Sequence, residues 1–327
     1  MIIIQVLLGG VTRLTGSGLS ITKWNPIFGI LPPLNNKQWN DAFEGYKHIG
    51  QFKLQNNYYT LNDFKSIFFW EWLHRVWARM LGIVFLVGFV YFLIKKYFDR
   101  DMIMPFIILF ILGGIQGLVG WIMVASGLND TSLHVDHIRL AIHFISAMLL
   151  ACYTFWFALQ LLIPNEKRVI DNKLRNFTLI LISFLTLQLI YGAFMAGLKA
   201  ATMAPTWPTI NGSWIPANFS SNSLISDPLN IHFIHRTLAY IILVLIITWY
   251  IIVGKKTQSS ILSKTRKWPM LFVCAQVALG ILTVISAGTI DITKFGNFQV
   301  LAELHQLTAM FLLMALVFNL YVLTKKA

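Results

Sequence analysis

The chain has 327 residues, of which 57% are hydrophobic and 12% are charged. A water-facing surface cannot be built from so apolar a composition, which excludes a soluble globular domain and specifies an all-α integral membrane protein. Lys and Arg outnumber Asp and Glu by 26 to 13. That surplus lies in alternate short connections between apolar segments, so it indicates membrane orientation and not nucleic-acid binding.

In chain order, the first apolar run extends from Met1 to about Leu19 and is interrupted early, at Arg13 and a cluster of Thr, Gly and Ser. It lacks the basic n-region of a cleaved signal, and its shortness suggests that the inner end of a span is missing, as from a late start. Seven further runs of about the length that crosses roughly 30 Å of hydrocarbon fall near 68–94, 102–125, 139–163, 175–198, 231–253, 267–287 and 300–323. With the first run, eight transmembrane helices are expected.

Basic residues follow the second span (Lys95, Lys96, Arg100), the fourth (Lys167, Arg168, Lys173, Arg175), the sixth (Lys255, Lys256, Lys264, Arg266, Lys267) and the end of the chain (Lys325, Lys326). These loops and the C-terminus are therefore expected on the cytoplasmic or matrix side of a bacterial inner or mitochondrial inner membrane.

The connections on the opposite side are longer. Residues 20–67 contain Trp24, Pro26, Gly29, Pro32, Pro33, Trp39, Phe43 and Tyr46, a composition that suits a folded cap over the first helices. Residues 200–230, with Trp207-Pro208, Asn211-Gly212 and Trp214, would cap the later ones. The two cysteines, Cys152 and Cys274, both fall inside spans, so a disulfide between outer loops and a Cys-based metal site are both excluded.

Two motifs recur with the same period. The frame His-x-x-x-Ala occurs at His74, His143, His235 and His305; His74 and His235 are 161 residues apart, and His143 and His305 are 162 apart. The frame Gln-x-x-x-Gly occurs at Gln5–Gly9, Gln116–Gly120, Gln188–Gly192 and Gln276–Gly280 on the intervening spans. The pattern predicts two tandem pseudo-symmetric four-helix bundles, 1–165 and 166–327, in one orientation about an axis along the membrane normal. An insertion of some twenty residues in the first outer loop accounts for the larger 183-residue offset from Gln5 to Gln188. In Gln-x-x-x-Gly, glycine either lets helices approach while glutamine bonds across the interface, or clears a flat face for a macrocycle.

Two histidines per four-helix unit can hold haem edge-on between them. The pairs expected are His74 with His143 and His235 with His305, all ligands to haem iron. Zinc and copper fit less well, because neither pair brings the further ligands these ions require. Arg75 and Arg236 directly follow the first histidine of each copy, and Arg139 lies one turn before His143. Each arginine either pairs with a propionate or snorkels to the interface. His48, His134, His137 and His232 are expected to be solvated, with His232 within reach of a propionate.

The copies differ at one place. Glu71 stands three residues before His74, on the same helix face, whereas Leu140, His232 and Ala302 stand in that place before the other histidines. Glu71 is either a general acid or base beside the first haem or the partner of Arg75 in an (i, i+4) ion pair. Glu303, two residues before His305, should point away from its histidine.

At these residues the chain resembles the haem A synthase family, from residue 5 to the C-terminus. The stretches that carry the resemblance are Gly9-Gly-Val-Thr-Arg-Leu-Thr-Gly-Ser-Gly-Leu-Ser20, Trp24 with Gly29-Ile-Leu-Pro-Pro33, and Phe69-Trp-Glu-Trp-Leu-His-Arg75. Met195-Ala-Gly-Leu-Lys-Ala200, Trp207-Pro-Thr-Ile-Asn-Gly212 and His235-Arg-Thr-Leu-Ala239 extend it. Without cysteine pairs in its outer loops, the chain is most similar to the alphaproteobacterial and mitochondrial branch.

The resemblance implies a membrane oxidoreductase that converts haem O to haem A for cytochrome oxidase. It also implies that Glu71 is the essential acid, that His74 and His143 flank the substrate haem O, and that His235 and His305 hold a resident haem b. The partners implied are haem O, a quinol or ferredoxin-type electron donor, haem O synthase and oxidase assembly factors; a homo-oligomer is a further option, and nucleic acid is not. Two other function classes share the bundle: a dihaem cytochrome b-like quinol electron-transfer protein, and a haem or proton transporter gated by Glu71.

Overall fold

The computed structural model describes residues 1–24, 29–256, 259–289 and 295–324; Pro26, Lys325 and Lys326 lie outside them. Twelve α-helices and no named strand occur among the described residues. They are α1 (Ile2–Leu14), α2 (Asn36–Lys47), α3 (Gly50–Leu54), α4 (Leu61–Ile94), α5 (Arg100–Ala125), α6 (His137–Leu162), α7 (Asn172–Gly197), α8 (Ala200–Met203), α9 (Pro228–Lys256), α10 (Ser260–Thr265), α11 (Lys267–Ser286) and α12 (Asn297–Val322). Seven helical segments are long and apolar enough to cross a membrane: α4, α5, α6, α7, α9, α12 and the stretch Ser260–Thr289 that contains α11. The protein is a membrane protein, and α1 is a shorter apolar helix.

Local chemistry explains why several helices start before their apolar runs. The α4 helix begins at Leu61 because Thr60 caps it: the Thr60 side chain receives the Asp63 N–H, and Asp63 reaches back to the Thr60 N–H at 2.8 Å. Asp171 caps α7 through the Leu174 N–H at 2.9 Å. Asp227 accepts the Asn230 N–H at 2.9 Å at the start of α9, where Pro228 loses nothing because a first-turn N–H has no helical partner.

The chain divides into two compact units, Met1–Leu150 and Ala151–Ala327. The first keeps its main buried core outside the apolar spans. Leu19, Phe43, Tyr46, Ile49, Phe64, Ile67 and Phe68 pack together where α2 and α3 fold onto the first turns of α4, forming the cap expected of residues 20–67. The cap is tied down by the Gly50 N–H donating to the Asn129 carbonyl at 2.7 Å and by Trp72 Nε1 donating to the Ile30 carbonyl at 2.8 Å. Gly50 is required there, because a Cβ would sit 2.8 Å from the Ser132 backbone.

The second unit places its core along the spans, with Leu181, Leu185, Ile242, Ile246, Trp249, Leu312 and Leu316 almost fully buried. Trp249 Nε1 donates to Thr178 Oγ1 at 3.0 Å, and Thr265 Oγ1 donates to Asn319 Oδ1 at 2.8 Å. Both bonds satisfy polar groups within apolar surroundings. Residues 200–230 form a connection in which Ile210 and Ser213 pair across Asn211 and Gly212, both at positive φ, the two-residue turn that Asn-Gly favours.

Candidate functional site

The helices bring every Gln-x-x-x-Gly frame against one His-x-x-x-Ala frame. In the first unit, Gln5 Nε2 on α1 lies 3.2 Å from His74 Nδ1 and 3.3 Å from its Nε2 on α4, and Gln116 Nε2 on α5 lies 3.1 Å from His143 Nδ1 on α6. In the second, Gln188 on α7 lies 3.4 Å from His235 Nε2 on α9, and Gln276 on α11 lies 3.2 Å from His305 Nε2 on α12. The glycine one turn on clears the ring. A Cβ at Gly9, Gly120, Gly192 or Gly280 would stand 3.1, 2.8, 3.2 or 3.0 Å from the Cε1 of His74, His143, His235 or His305.

Both readings of the glycine motif therefore take a more specific form. Glycine admits the flat face of an imidazole, and glutamine bonds the imidazole, so the motif is the seat of the histidine. The shared period of the two motifs carried this signal, but the partnership itself depends on helix rotation.

In the second unit, the rings of His235 and His305 face each other with centroids 6.3 Å apart. Two metal–nitrogen bonds of roughly 2 Å and two ring radii of about 1.2 Å span about 6.4 Å, so the separation suits one metal ion ligated from both sides. No group of three or more His, Cys, Asp or Glu among the described residues could hold a metal. Two imidazoles are an incomplete donor set for zinc but a complete axial set for haem, whose porphyrin supplies the other four nitrogens. The residues present fit haem. The Nδ1 atoms of both rings are buried and have no hydrogen-bond partner among the described residues.

Glu71 is buried at 2% exposure, and three groups converge on it. Ser20 Oγ donates to Oε2 at 2.7 Å, the Ile21 N–H donates to the same oxygen at 2.9 Å, and Arg75 forms an ion pair with Oε1. Arg75 also donates to the Ile21 carbonyl at 3.3 Å. The (i, i+4) ion pair is thus present within α4, and the hydrogen bonds of Ser20 and Ile21 to its two members join α4 to the segment leaving α1. Ser20 and the Ile21 N–H were not foreseen from the sequence, since nothing local marks a residue fifty positions away as a partner.

Arg236 has no acid within ion-pairing distance among the described residues. It donates instead to four carbonyls of the segment before α9: Ala204 at 3.3 Å, Thr206 at 2.6 Å, Pro208 at 3.4 Å and Thr209 at 3.2 Å. Arg139, exposed, donates to the Ile122 carbonyl at 3.3 Å near the end of α5. His232, expected to be solvated, is fully buried, and neither ring nitrogen has a hydrogen-bond partner among the described residues. The three residues that separate it from His235 amount to nearly one turn, which carries it to the same side of α9. Glu303 is buried at 7% exposure.

A model of the family described as COX15-CtaA, cytochrome oxidase assembly protein, matches residues 1–317. The chain belongs to this family. Among its relatives, a heme A synthase of Flavobacterium johnsoniae is 35% identical, with the match covering 99% of this chain and 95% of that protein. A heme A synthase of Pelagibacter ubique is 37% identical over 98% of this chain and 93% of its own length. One of Rhodopseudomonas palustris is 38% identical over 89% and 80%. The match takes in all four histidine seats, Glu71 and both outer loops.

Proposed function

We infer that this chain is an enzyme of the haem A synthase reaction, a membrane oxidoreductase that converts the substrate haem O into haem A for cytochrome oxidase. Family membership supports the activity. The observation that carries the site assignment is the facing pair His235 and His305, 6.3 Å apart and each seated by a Gln and a Gly. The repetition of that seat at His74 and His143 gives the second pair.

On this reading the chain is a duplicated four-helix unit of eight spans, 1–165 and 166–327, with α1 as the first span. His74 and His143 hold the iron of haem O; His235 and His305 hold a resident haem b, which supplies one-electron transfer. Arg236, whose positive charge has no acid in ion-pairing distance among the described residues, is the propionate partner in the second copy, and Arg75 and Arg139 face the propionates of the substrate. The basic loops lie on the cytoplasmic or matrix side and the haem sites towards the outer side. Because the oxidation draws its oxygen from water, each methyl group gives up four electrons and four protons on becoming a formyl, and a quinone or an oxidised ferredoxin-type protein takes up the electrons.

The reaction turns one porphyrin methyl of haem O into a formyl group, by two hydroxylations and loss of water. With both axial positions taken by histidine, oxidation starts at the edge of the macrocycle, and Glu71 takes the proton released there on Oε2, the oxygen now held by Ser20 and Ile21. Ser20 and Ile21 orient the carboxylate, and Arg75 holds the negative charge in place.

Two measurements test this. Glu71→Ala should retain the resident haem and yield no formyl product when haem O is supplied; normal haem A from that variant overturns the assignment. Isotope-labelled water should label the formyl oxygen, and label from dioxygen overturns oxidation at the periphery. A dihaem carrier would purify with two permanent haems b, whereas the enzyme should purify with one, together with variable haem O or haem A.

A further inference from the structure

The four glutamine–histidine contacts differ in polarity. An amide has a donor end and an acceptor end, and a neutral imidazole has one N–H and one bare nitrogen. The amide oxygens of Gln5, Gln188 and Gln276 are buried without a hydrogen-bond partner among the described residues, so each of these amides is free to turn and offer its oxygen to the ring.

Gln116 is not free to turn. Its Nε2 donates to the main-chain carbonyl of His143 at 3.0 Å, a group that only accepts, and its Oε1 receives the Ser146 hydroxyl at 2.6 Å. Reversing the amide would set two oxygens 3.0 Å apart. The residue three places after the histidine is Trp77, Leu238 and Thr308 in the other frames. Two of these lack a hydroxyl, and the Gln276 oxygen receives no bond from Thr308.

With its polarity set, Gln116 Nε2 directs its second hydrogen at His143 Nδ1, 3.1 Å away. Nδ1 is then an acceptor, and the ring proton belongs on Nε2. An imidazole that ligates iron through Nε2 carries its proton on Nδ1 and gives it to an acceptor behind the ring. At His143 that proton would meet a donor instead, and a buried donor left unsatisfied weakens the bond that requires it.

We propose that Gln116, fixed by the His143 carbonyl and Ser146, is a positioning residue that makes His143, and not His74, the exchangeable haem ligand of the first pair. The proposal rests on the reading that His74 and His143 flank the substrate. It supplies what that reading needs: haem O must enter and haem A must leave at each turnover, so one of the two iron bonds has to break readily. At the second pair Gln188 and Gln276 lie against Nε2 and not Nδ1, so the donor that opposes an Nδ1 proton at His143 has no counterpart there.

The test uses the full chain in detergent. In haem-free protein labelled with nitrogen-15 histidine, and with the signal assigned by its loss in His143→Ala, the shifts should show the His143 proton on Nε2; a proton on Nδ1 overturns the proposal. In protein loaded with ferrous haem b, carbon monoxide should bind the haem of the first copy by displacing His143. Gln116→Leu, which removes the opposing donor, should weaken that binding about tenfold, corresponding to about 1.4 kcal/mol. Unchanged affinity in Gln116→Leu overturns the proposal while the site reading stands. If His74→Ala and His143→Ala leave the number of bound haems unaltered, the site reading fails and the proposal falls with it.

Discussion

The two units bury their cores in different places. In the first, the main core is the cap of Phe43, Tyr46, Phe64 and Phe68 outside the spans, and none of the most apolar window of α4 is buried. In the second, 28% of the corresponding windows of α7 and α9 and 44% of that of α12 are buried. The same contrast recurs at the arginine after the first histidine: Arg75 is neutralised by Glu71, whereas Arg236 is spent on loop carbonyls and meets no acid among the described residues. A unit with a loose interior and a firm lid suits a molecule that comes and goes. A unit with a packed interior and an uncompensated cation suits an anionic group that stays.

The largest test of this contrast is Glu71→Ala. Removing one partner of a buried ion pair leaves the other charge unpaired, and the expected loss is about 3 kcal/mol of stability in the first unit. The double variant Glu71→Ala/Arg75→Leu should recover most of that loss in thermal unfolding and still make no haem A. If the double variant is as unstable as the single one, the loss comes from the hydrogen bonds that Ser20 and Ile21 make to Glu71 and not from an unpaired Arg75.

Next are the glycine seats. An added methyl group must displace a rigid ring, which costs about 1–3 kcal/mol, so Gly→Ala should harm haem retention in the order of the clearances. Gly120, at 2.8 Å, should suffer most, then Gly280 at 3.0 Å, Gly9 at 3.1 Å and Gly192 at 3.2 Å. Haem content and unfolding temperature of the four variants measure this. The order crosses the two units, so a result sorted by unit and not by clearance would show that the packing of each unit, and not the seat, controls haem binding.

That order also marks what was legible in the sequence. All seven long spans appear within a few residues of the apolar runs, because membrane helices are specified by length and hydropathy. The extra turns of α4 were not visible as apolar sequence; they follow from the Thr60–Asp63 capping box and the aromatic face that carries the cap. The four histidines stood out by period, yet their seats depend on how α1, α5, α7 and α11 rotate, which one chain's pattern does not specify. The ligands of Glu71 come from a loop fifty residues away, a distance at which only folding makes the connection. His232 was misjudged because its position near a helix entrance resembles a solvated one, although it is fully buried.

Arg236→Lys should have a smaller effect, about 1–2 kcal/mol. An ammonium is a point charge with three donors and cannot serve four carbonyls as the forked guanidinium does. The 204–209 segment should become more susceptible to proteolysis while the resident haem is retained. Loss of haem without loss of loop protection would place the propionate partnership above the loop contacts.

The smallest effect at neutral pH is expected in the cap. Tyr46 is fully buried, its hydroxyl donating to Gln51 Oε1 at 3.0 Å and receiving Asn56 Nδ2 at 2.8 Å. Burial pushes its pKa well above the ordinary tyrosine value of about 10. The folded cap therefore holds the phenolic proton more tightly than the unfolded chain does. Its contribution is complete below pH 10 and declines as the pH rises from there towards the folded pKa, since only the unfolded form then releases the proton. Tyr46→Phe should cost about 1 kcal/mol at pH 7, the value of a buried hydrogen bond, and should flatten the alkaline decline of cap stability measured by hydrogen exchange of α2 and α3. A decline that persists unchanged in the variant would assign the alkaline sensitivity to another group, with Tyr59, whose pKa is also raised by burial, the next to replace.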